Sequence, residues 1–266
     1  MFEELADGVF RRPYPFLRIN IGVVIGADGV LLVDTRESED AARELSGELR
    51  TLTAKPVRWV VNTHWHWDHV FGNALFPGAA IWGHRSCRRM LRGNTEPHFD
   101  DARRWVPRER RDEIERVRVV PPQHTFEAVT AIDIGGHRVE ATYHGRGHTD
   151  ADVVVRCGGV TFMGDLVEQG KSPEMGDSYP LEWPATLAAA RPGVGPTVVP
   201  GHGDLLSPAD VDDQAERLER VAALLRQVLY EGRPAEEAVR RGPIPELHMR
   251  KALARARSAA GLSPQP

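Results

Sequence analysis

The sequence predicts an α/β (α+β) fold: two β-sheets stacked face to face with helices on both outer faces, a helix–sheet–sheet–helix sandwich. Two observations predict it. Strand and helix signals run strands, helix, strand, helix, and then strands and helix again, so each half of the chain supplies a sheet and helices to cover it. The helical stretches carry one apolar stripe each, the pattern of a helix lying on a core. No short-period repeat breaks this order. No interdomain linker is evident, so one domain over residues 1–266 is expected, helical from about residue 207.

Each element has a local cause. Residues 16–25 are rich in aliphatic side chains and read as a strand. The turn signal Ala27-Asp28-Gly29 and the run Val30-Leu31-Leu32-Val33 complete a hairpin, because glycine tolerates the positive φ of a tight turn. Ser38 is placed to cap a helix with Ala41, Leu45, Leu49 and Leu52 on one face, and Pro56 closes that unit. Val57-Arg58-Trp59-Val60-Val61 is the next strand. A short strand at 79–82 and a helix around 85–91 follow. Residues 93–123 are polar and interrupted by proline, and read as a rim insertion with some helix.

Ile132-Asp133-Ile134 turns at Gly135-Gly136 into residues 139–143, and residues 152–156 turn at Gly158-Gly159 into 160–163. Residues 166–184 read as a long loop around Gly170, Pro173, Gly176 and Pro180. Thr197-Val198-Val199 is a short strand. Ser207-Pro208 then caps a long helix with Val211, Ala215, Leu218, Ala222, Leu225 and Leu229 on one stripe. The remaining residues read as helical, with a loose tail at 263–266.

Composition sets limits. Hydrophobic residues make up 41% and charged residues 27% of 266, so the chain buries enough surface to fold without disulfides or a structural metal. The net charge of −4 lacks the basic footprint of a nucleic-acid binder. The basic runs at Arg103-Arg104 and 108–111 are interrupted by Asp100, Asp101, Glu109 and Asp112, the pattern of a solvated helix face. Two distant cysteines, Cys87 and Cys157, permit one disulfide but imply no framework. The first residues lack a basic region followed by an apolar stretch, and no segment reads as a membrane span. A cytoplasmic protein acting on a small molecule, without nucleic-acid or membrane partners, is expected; the oligomeric state stays open.

The chemistry is concentrated in Thr63-His64-Trp65-His66-Trp67-Asp68-His69, directly after a strand. Alternate side chains of an extended segment point the same way, so His64 and His66 can reach one metal ion. The following turn can aim Asp68 and His69 at a second. His148 in Gly147-His148-Thr149, Asp165 after Gly164 and His202 in Pro200-Gly201-His202-Gly203 also lie at strand ends beside glycines. Imidazole and carboxylate are ligands zinc accepts, whereas neither cysteine has ligand spacing. Trp65 and Trp67 suit either an apolar wall near the site or the core. Lys171 suits either a substrate carboxylate or solvent. His84 and His137 read as surface or hydrogen-bonded residues, and His98, His124 and His144 lack a pattern.

These motifs resemble the metallo-β-lactamase superfamily, whose signature is T-H-x-H-x-D-H. The resemblance extends to Gly147-His148-Thr149, Gly164-Asp165, Pro200-Gly201-His202-Gly203 and Asp34, over about residues 15 to 205. It implies an αββα four-layer sandwich with the site along one edge of both sheets. It assigns His64, His66 and His148 to one metal, Asp68, His69 and His202 to another, and Asp165 to both. Asp34 resembles the family's aspartate behind the metals. His66 stands where the flavodiiron branch has glutamate, which disfavours di-iron redox chemistry. Asp165 stands where true class B β-lactamases have cysteine or serine, which favours the broader hydrolases with glyoxalase II-like or lactonase-like metal shells. The helical segment after His202 is short for glyoxalase II itself.

The activity so implied is hydrolysis with two Zn2+, iron or manganese being alternatives. A metal-bridging hydroxide would attack a lactam, lactone, ester or thioester carbonyl, and the catalytic role of Asp68 would be to orient it or shuttle its proton. Two other enzymatic readings are a mononuclear iron persulfide dioxygenase and a metal-dependent phosphodiesterase. A non-catalytic metal-binding scaffold is the reading from another class.

Overall fold

A computed structural model describes residues 1–262, and the tail at 263–266 lies outside them. The strands β1 (Glu3–Ala6), β2 (Val9–Pro13), β3 (Asn20–Ile25) and β4 (Val30–Val33) form an antiparallel meander. The helix α1 (Glu39–Leu52) then crosses over, so that β5 (Val57–Val61) lies parallel to β4. After the single turn α2 (Trp67–Val70), β6 (Ala80–His84) pairs parallel to β5. The segment α3 (Arg85–Arg92), α4 (Glu96–Trp105) and α5 (Arg111–Glu115) leads to β7 (His124–Phe126), which completes a seven-stranded sheet in chain order.

The second sheet has the order β12-β11-β10-β9-β8. Its strands are β8 (Val129–Asp133), β9 (Arg138–Tyr143), β10 (Val153–Cys157), β11 (Val160–Gly164) and β12 (Thr197–Pro200), and only β11 and β12 pair in parallel. The helix α6 (Trp183–Ala190) joins β11 to β12. The helices α7 (Pro208–Glu231), α8 (Ala235–Arg241) and α9 (Glu246–Ala259) complete the cover.

Side-chain alternation explains the layers. In β4, Leu31 and Val33 join the core between the two sheets, while Val30 and Leu32 join the core under α1. In β10, Val153 and Val155 face the first sheet and Val154 faces the helices α6 to α9. A strand buried on both faces therefore reads as an unbroken apolar run. The αββα arrangement follows.

Local caps match the sequence. The Ser38 side chain accepts a hydrogen bond from the Ala41 amide at 3.0 Å. Ser207 and Asp210 form a reciprocal capping box at the start of α7, and Gly232, with φ of 70°, ends it.

Two features differ from the sequence reading: where β3 begins, and which further elements the chain adds. Strand β3 begins at Asn20, because Phe16–Arg18 form a tight turn in which Leu17 and Arg18 adopt φ of 56° and 54°. The β1–β2 hairpin, β7 and α6 add elements the reading did not place. Both cysteines are free and buried, so no disulfide forms. Among the described residues no helix is long and apolar enough to cross a membrane.

Candidate metal centre

Strand ends deliver the site, at the edge where open α/β sheets place their ligands. The end of β4 carries Asp34, the end of β5 leads into Thr63 and His64, and β11 and β12 lead into Asp165 and His202. The loop bearing His148 enters β10, whose Val153 amide donates to the Thr63 carbonyl at 2.7 Å. His66 is still extended (φ −65°, ψ 144°) and caps α2, so the turn that follows presents Asp68 and His69 to the same space. Two glycines permit the approach. Gly164 has φ of 51°, and a Cβ there would lie 2.8 Å from Thr63; a Cβ on Gly201 would overlap Asp165 Oδ1.

All seven side chains singled out in the sequence meet here. His64, His66, His148 and Asp165 offer ligand atoms within 4.8 Å of one another, and Asp68, His69 and His202 form a second such group. In the first, His66 Nδ1 lies 3.1 Å from His64 Nε2 and 2.8 Å from His148 Nε2. In the second, His202 Nε2 lies 3.3 Å from His69 Nε2 and 3.2 Å from Asp68 Oδ2. Asp165 stands between them: Oδ2 is 3.3 Å from His202 Nε2 and 3.5 Å from His148 Nε2, and Oδ1 is 3.4 Å from His69 Nε2.

Outer partners decide which imidazole nitrogens point inward as acceptors. Thr63 Oγ1 gives its one proton to Asp34 Oδ2 at 2.7 Å, so it can only accept from His64 Nδ1 at 3.0 Å. His69 Nδ1 donates to Asp34 Oδ2, and His202 Nδ1 to the Leu17 carbonyl, both at 2.8 Å. Each neutral ring then turns a bare Nε2 toward the cluster, the arrangement that metal-binding histidines use. Inward lone pairs this close repel without a cation between them. Asp165 Oδ1 is moreover buried without a hydrogen-bond partner. The donor set thus fits a pair of borderline cations such as zinc.

In the metal-free chain, protons serve instead. Burial alone would lower His202, but Asp165 and Asp68 raise it to about 9. His69 rises likewise, against burial, beside Asp68, Asp165 and Asp34. Burial and the neighbouring imidazoles depress His64, and burial carries His148 down to about 3. The sign of the pH dependence follows. A histidine raised above its usual 6.5 stabilises the fold fully below that value and loses this as pH climbs to about 9. Burial also raises Asp152 and Glu168 to about 7, so the window from 7 to 9 belongs to the imidazoles. The melting temperature of metal-free protein is therefore expected to fall between pH 7 and 9. A flat or rising curve in that window would contradict this charge arrangement.

Other sequence readings resolve here. Trp65 and Trp67 are core residues, their indole N–H groups donating to Asp150 and Asp101 at 3.1 Å each. Lys171 pairs with Glu168 at 3.1 Å. His84 is buried, caps α3 and stacks on Tyr143 with ring centroids 3.9 Å apart. The basic insertion is neutralised locally, Arg103 reaching Glu96, Asp100 and Glu115. Sequence reasoning missed Asp177, whose Oδ2 lies 3.3 Å from His66 Nε2, and the Leu17 carbonyl behind His202. Neither has a sequence signal, since both sit in irregular loops.

Comparison with known proteins bears on the family and the fold. The sequence pattern of the Metallo-beta-lactamase superfamily matches residues 14–230. The chain is 26% identical to a Metallo-beta-lactamase type 2 of Bacillus cereus over 192 residues, 69% of this chain and 67% of that one. A Linear primary-alkylsulfatase of a Pseudomonas species is 41% identical over 49 residues, which span 18% of this chain and only 9% of the enzyme. Among solved structures, a metallo-beta-lactamase from Pontibacter korlensis superposes with a TM-score of 0.66 at 20% identity, covering 82% of this chain and 98% of that one.

Proposed function

Because the chain belongs to the metallo-beta-lactamase superfamily, we propose that it is a hydrolase that uses two zinc ions to open a lactam, lactone, ester or thioester. His64 Nε2, His66 Nδ1 and His148 Nε2 would hold one ion, and Asp68, His69 Nε2 and His202 Nε2 the other. The observation that carries this reading is the place of Asp165, whose carboxylate faces imidazoles of both groups. Once bound, such a pair polarises a carbonyl and makes water a nucleophile near neutral pH.

The chain's own residues do the rest. Burial would push the Asp68 carboxyl up, but His69 and His202 hold it well below the usual carboxylate range, so it stays ionised and can accept a proton from attacking water. Asp34 and the Leu17 carbonyl keep the proton of His69 and of His202 on the outward nitrogen. The Trp65 ring packs edge-on against His66, with centroids 4.4 Å apart, and so limits the freedom of that imidazole.

Metal analysis of zinc-loaded protein, followed by nitrocefin, S-lactoylglutathione, an acyl-homoserine lactone and bis-p-nitrophenyl phosphate, tests this reading. Two zinc ions per chain with turnover of a carbonyl substrate is the expected result. One iron per chain with oxygen uptake on a persulfide, or turnover of the phosphodiester alone, would overturn it.

A further inference from the structure

The helix α9 lies beyond residue 230, where the match to the family ends, yet it reaches toward the metal centre. We propose that Arg255 on α9 is a positioning residue for His66, acting through the loop that carries Asp177. This rests on the metal-centre reading above and adds to it a part of the chain outside the family pattern.

The chain of contacts is short. Arg255 Nε donates to the Ser178 carbonyl at 3.1 Å, and Nη2 to the Asp177 carbonyl at 3.2 Å. The Asp177 side chain meets His66 Nε2 at 3.3 Å, which leaves His66 Nδ1 facing His64 and His148. The same loop touches the His148 segment, through the Tyr179 amide on the Gly147 carbonyl at 2.8 Å. The helix α9 is itself anchored: Met249, Ala252, Leu253 and Ala256 are buried in one core with Met175 of the loop. Lys251, one turn before Arg255, holds Glu174 at 2.7 Å, and Glu174 in turn accepts from the Met175 and Gly176 amides at 3.0 Å.

Among the imidazoles whose outward nitrogen has a partner, His66 has the most exposed one, while His148 Nδ1 has none. The outward nitrogens of His64, His69 and His202 are met by buried groups next to the strand ends. The partner of His66 has a side chain 55% exposed, on an irregular loop. Without a brace on the loop backbone, that carboxylate is free to swing into solvent. The planar guanidinium spans two successive carbonyls, which fixes the peptide between Asp177 and Ser178; a lysine keeps the charge but not this rigid fork.

The test is a titration of the metal-free, full-length chain with Co2+, read by its visible absorption, for the parent, D177A, R255A, R255K and D177A/R255A. D177A is expected to weaken one of the two cobalt sites about tenfold to a hundredfold, the usual cost of losing an outer partner, and to alter that site's spectrum. R255A should weaken the same site by less, about three- to tenfold, since the carboxylate remains. R255K should fall between R255A and the parent, and the double variant should be no weaker than D177A. Parent-like cobalt binding by D177A, or an R255A loss that persists undiminished in the D177A background, would overturn the proposal. Because Asp177 is half exposed, the D177A arm stands even where R255A fails to fold. A parent chain that takes up no cobalt refutes the metal-centre reading itself; a parent that binds two ions and is matched by its variants refutes only the role of α9.

Discussion

Replacing Asp165 by asparagine is expected to leave the chain with one metal ion in place of two and to lower kcat/KM by at least about a hundredfold, the upper end of what losing an outer partner costs. The substitution conserves volume, so it isolates charge. Asp165 is the carboxylate within 3.5 Å of imidazoles from both groups, and it is buried. An amide offers one weaker oxygen and turns two N–H donors on nitrogens that must themselves donate electron pairs to a cation. The metal-free protein supplies an independent readout. Asp165 is the foremost group raising His202 against burial, so D165N should flatten the loss of melting temperature between pH 7 and 9. Elemental analysis, a hydrolase assay and a pH series of melting curves check the three parts. A D165N protein that keeps both ions and its turnover would show that the carboxylate does not bridge.

Much of this architecture was legible because burial on two faces leaves a plain trace. Val30-Leu31-Leu32-Val33 and Val153-Val154-Val155 have no polar position, and each divides its side chains between two cores. The β1–β2 hairpin was not legible, since Glu3–Ala6 is charged and exposed at a sheet edge. Residues 16–18 misled for a different reason. Phe16 and Leu17 are apolar, but they serve a turn that brings the Leu17 carbonyl onto His202. That need is tertiary, and the local sequence shows nothing of it.

The site divides along the same line. His64 to His69 were visible as a ligand cluster directly after a strand, and His148, Asp165 and His202 as ligands beside glycines at strand ends. Asp177 meets His66 across 111 positions, from a loop marked only by its glycines and prolines. Trp65 and Trp67 suited wall or core equally in the sequence. Their N–H partners settle them as core, because a buried indole is stable only where its one donor is met.

Asp34 is expected to give the largest loss of stability of any single side chain in the site. It is buried, adopts φ of 66°, and accepts three hydrogen bonds: from the Thr63 amide at 2.8 Å, Thr63 Oγ1 at 2.7 Å and His69 Nδ1 at 2.8 Å. Aspartate tolerates the left-handed region better than alanine does. D34A therefore combines backbone strain with three buried donors left unpaired, and should cost about 3–5 kcal/mol, as breaking other buried charged networks does. Thermal melting of metal-free D34A would record this as a drop on the order of 10 °C. D34N separates the fold from the chemistry. It keeps the shape and the tolerated φ, so most of the stability should remain. One of its two positions must now be NH2 instead of an acceptor. Facing His69, that group forces the ring proton from Nδ1 to Nε2, where it points into the cluster and blocks the second ion. Facing the Thr63 amide, it opposes one N–H to another beneath His64. D34N should thus melt close to the parent yet bind the second zinc about tenfold to a hundredfold more weakly in competition with a chromophoric chelator. Parent-like zinc binding by D34N would show that His69 keeps its proton outward without a carboxylate behind it.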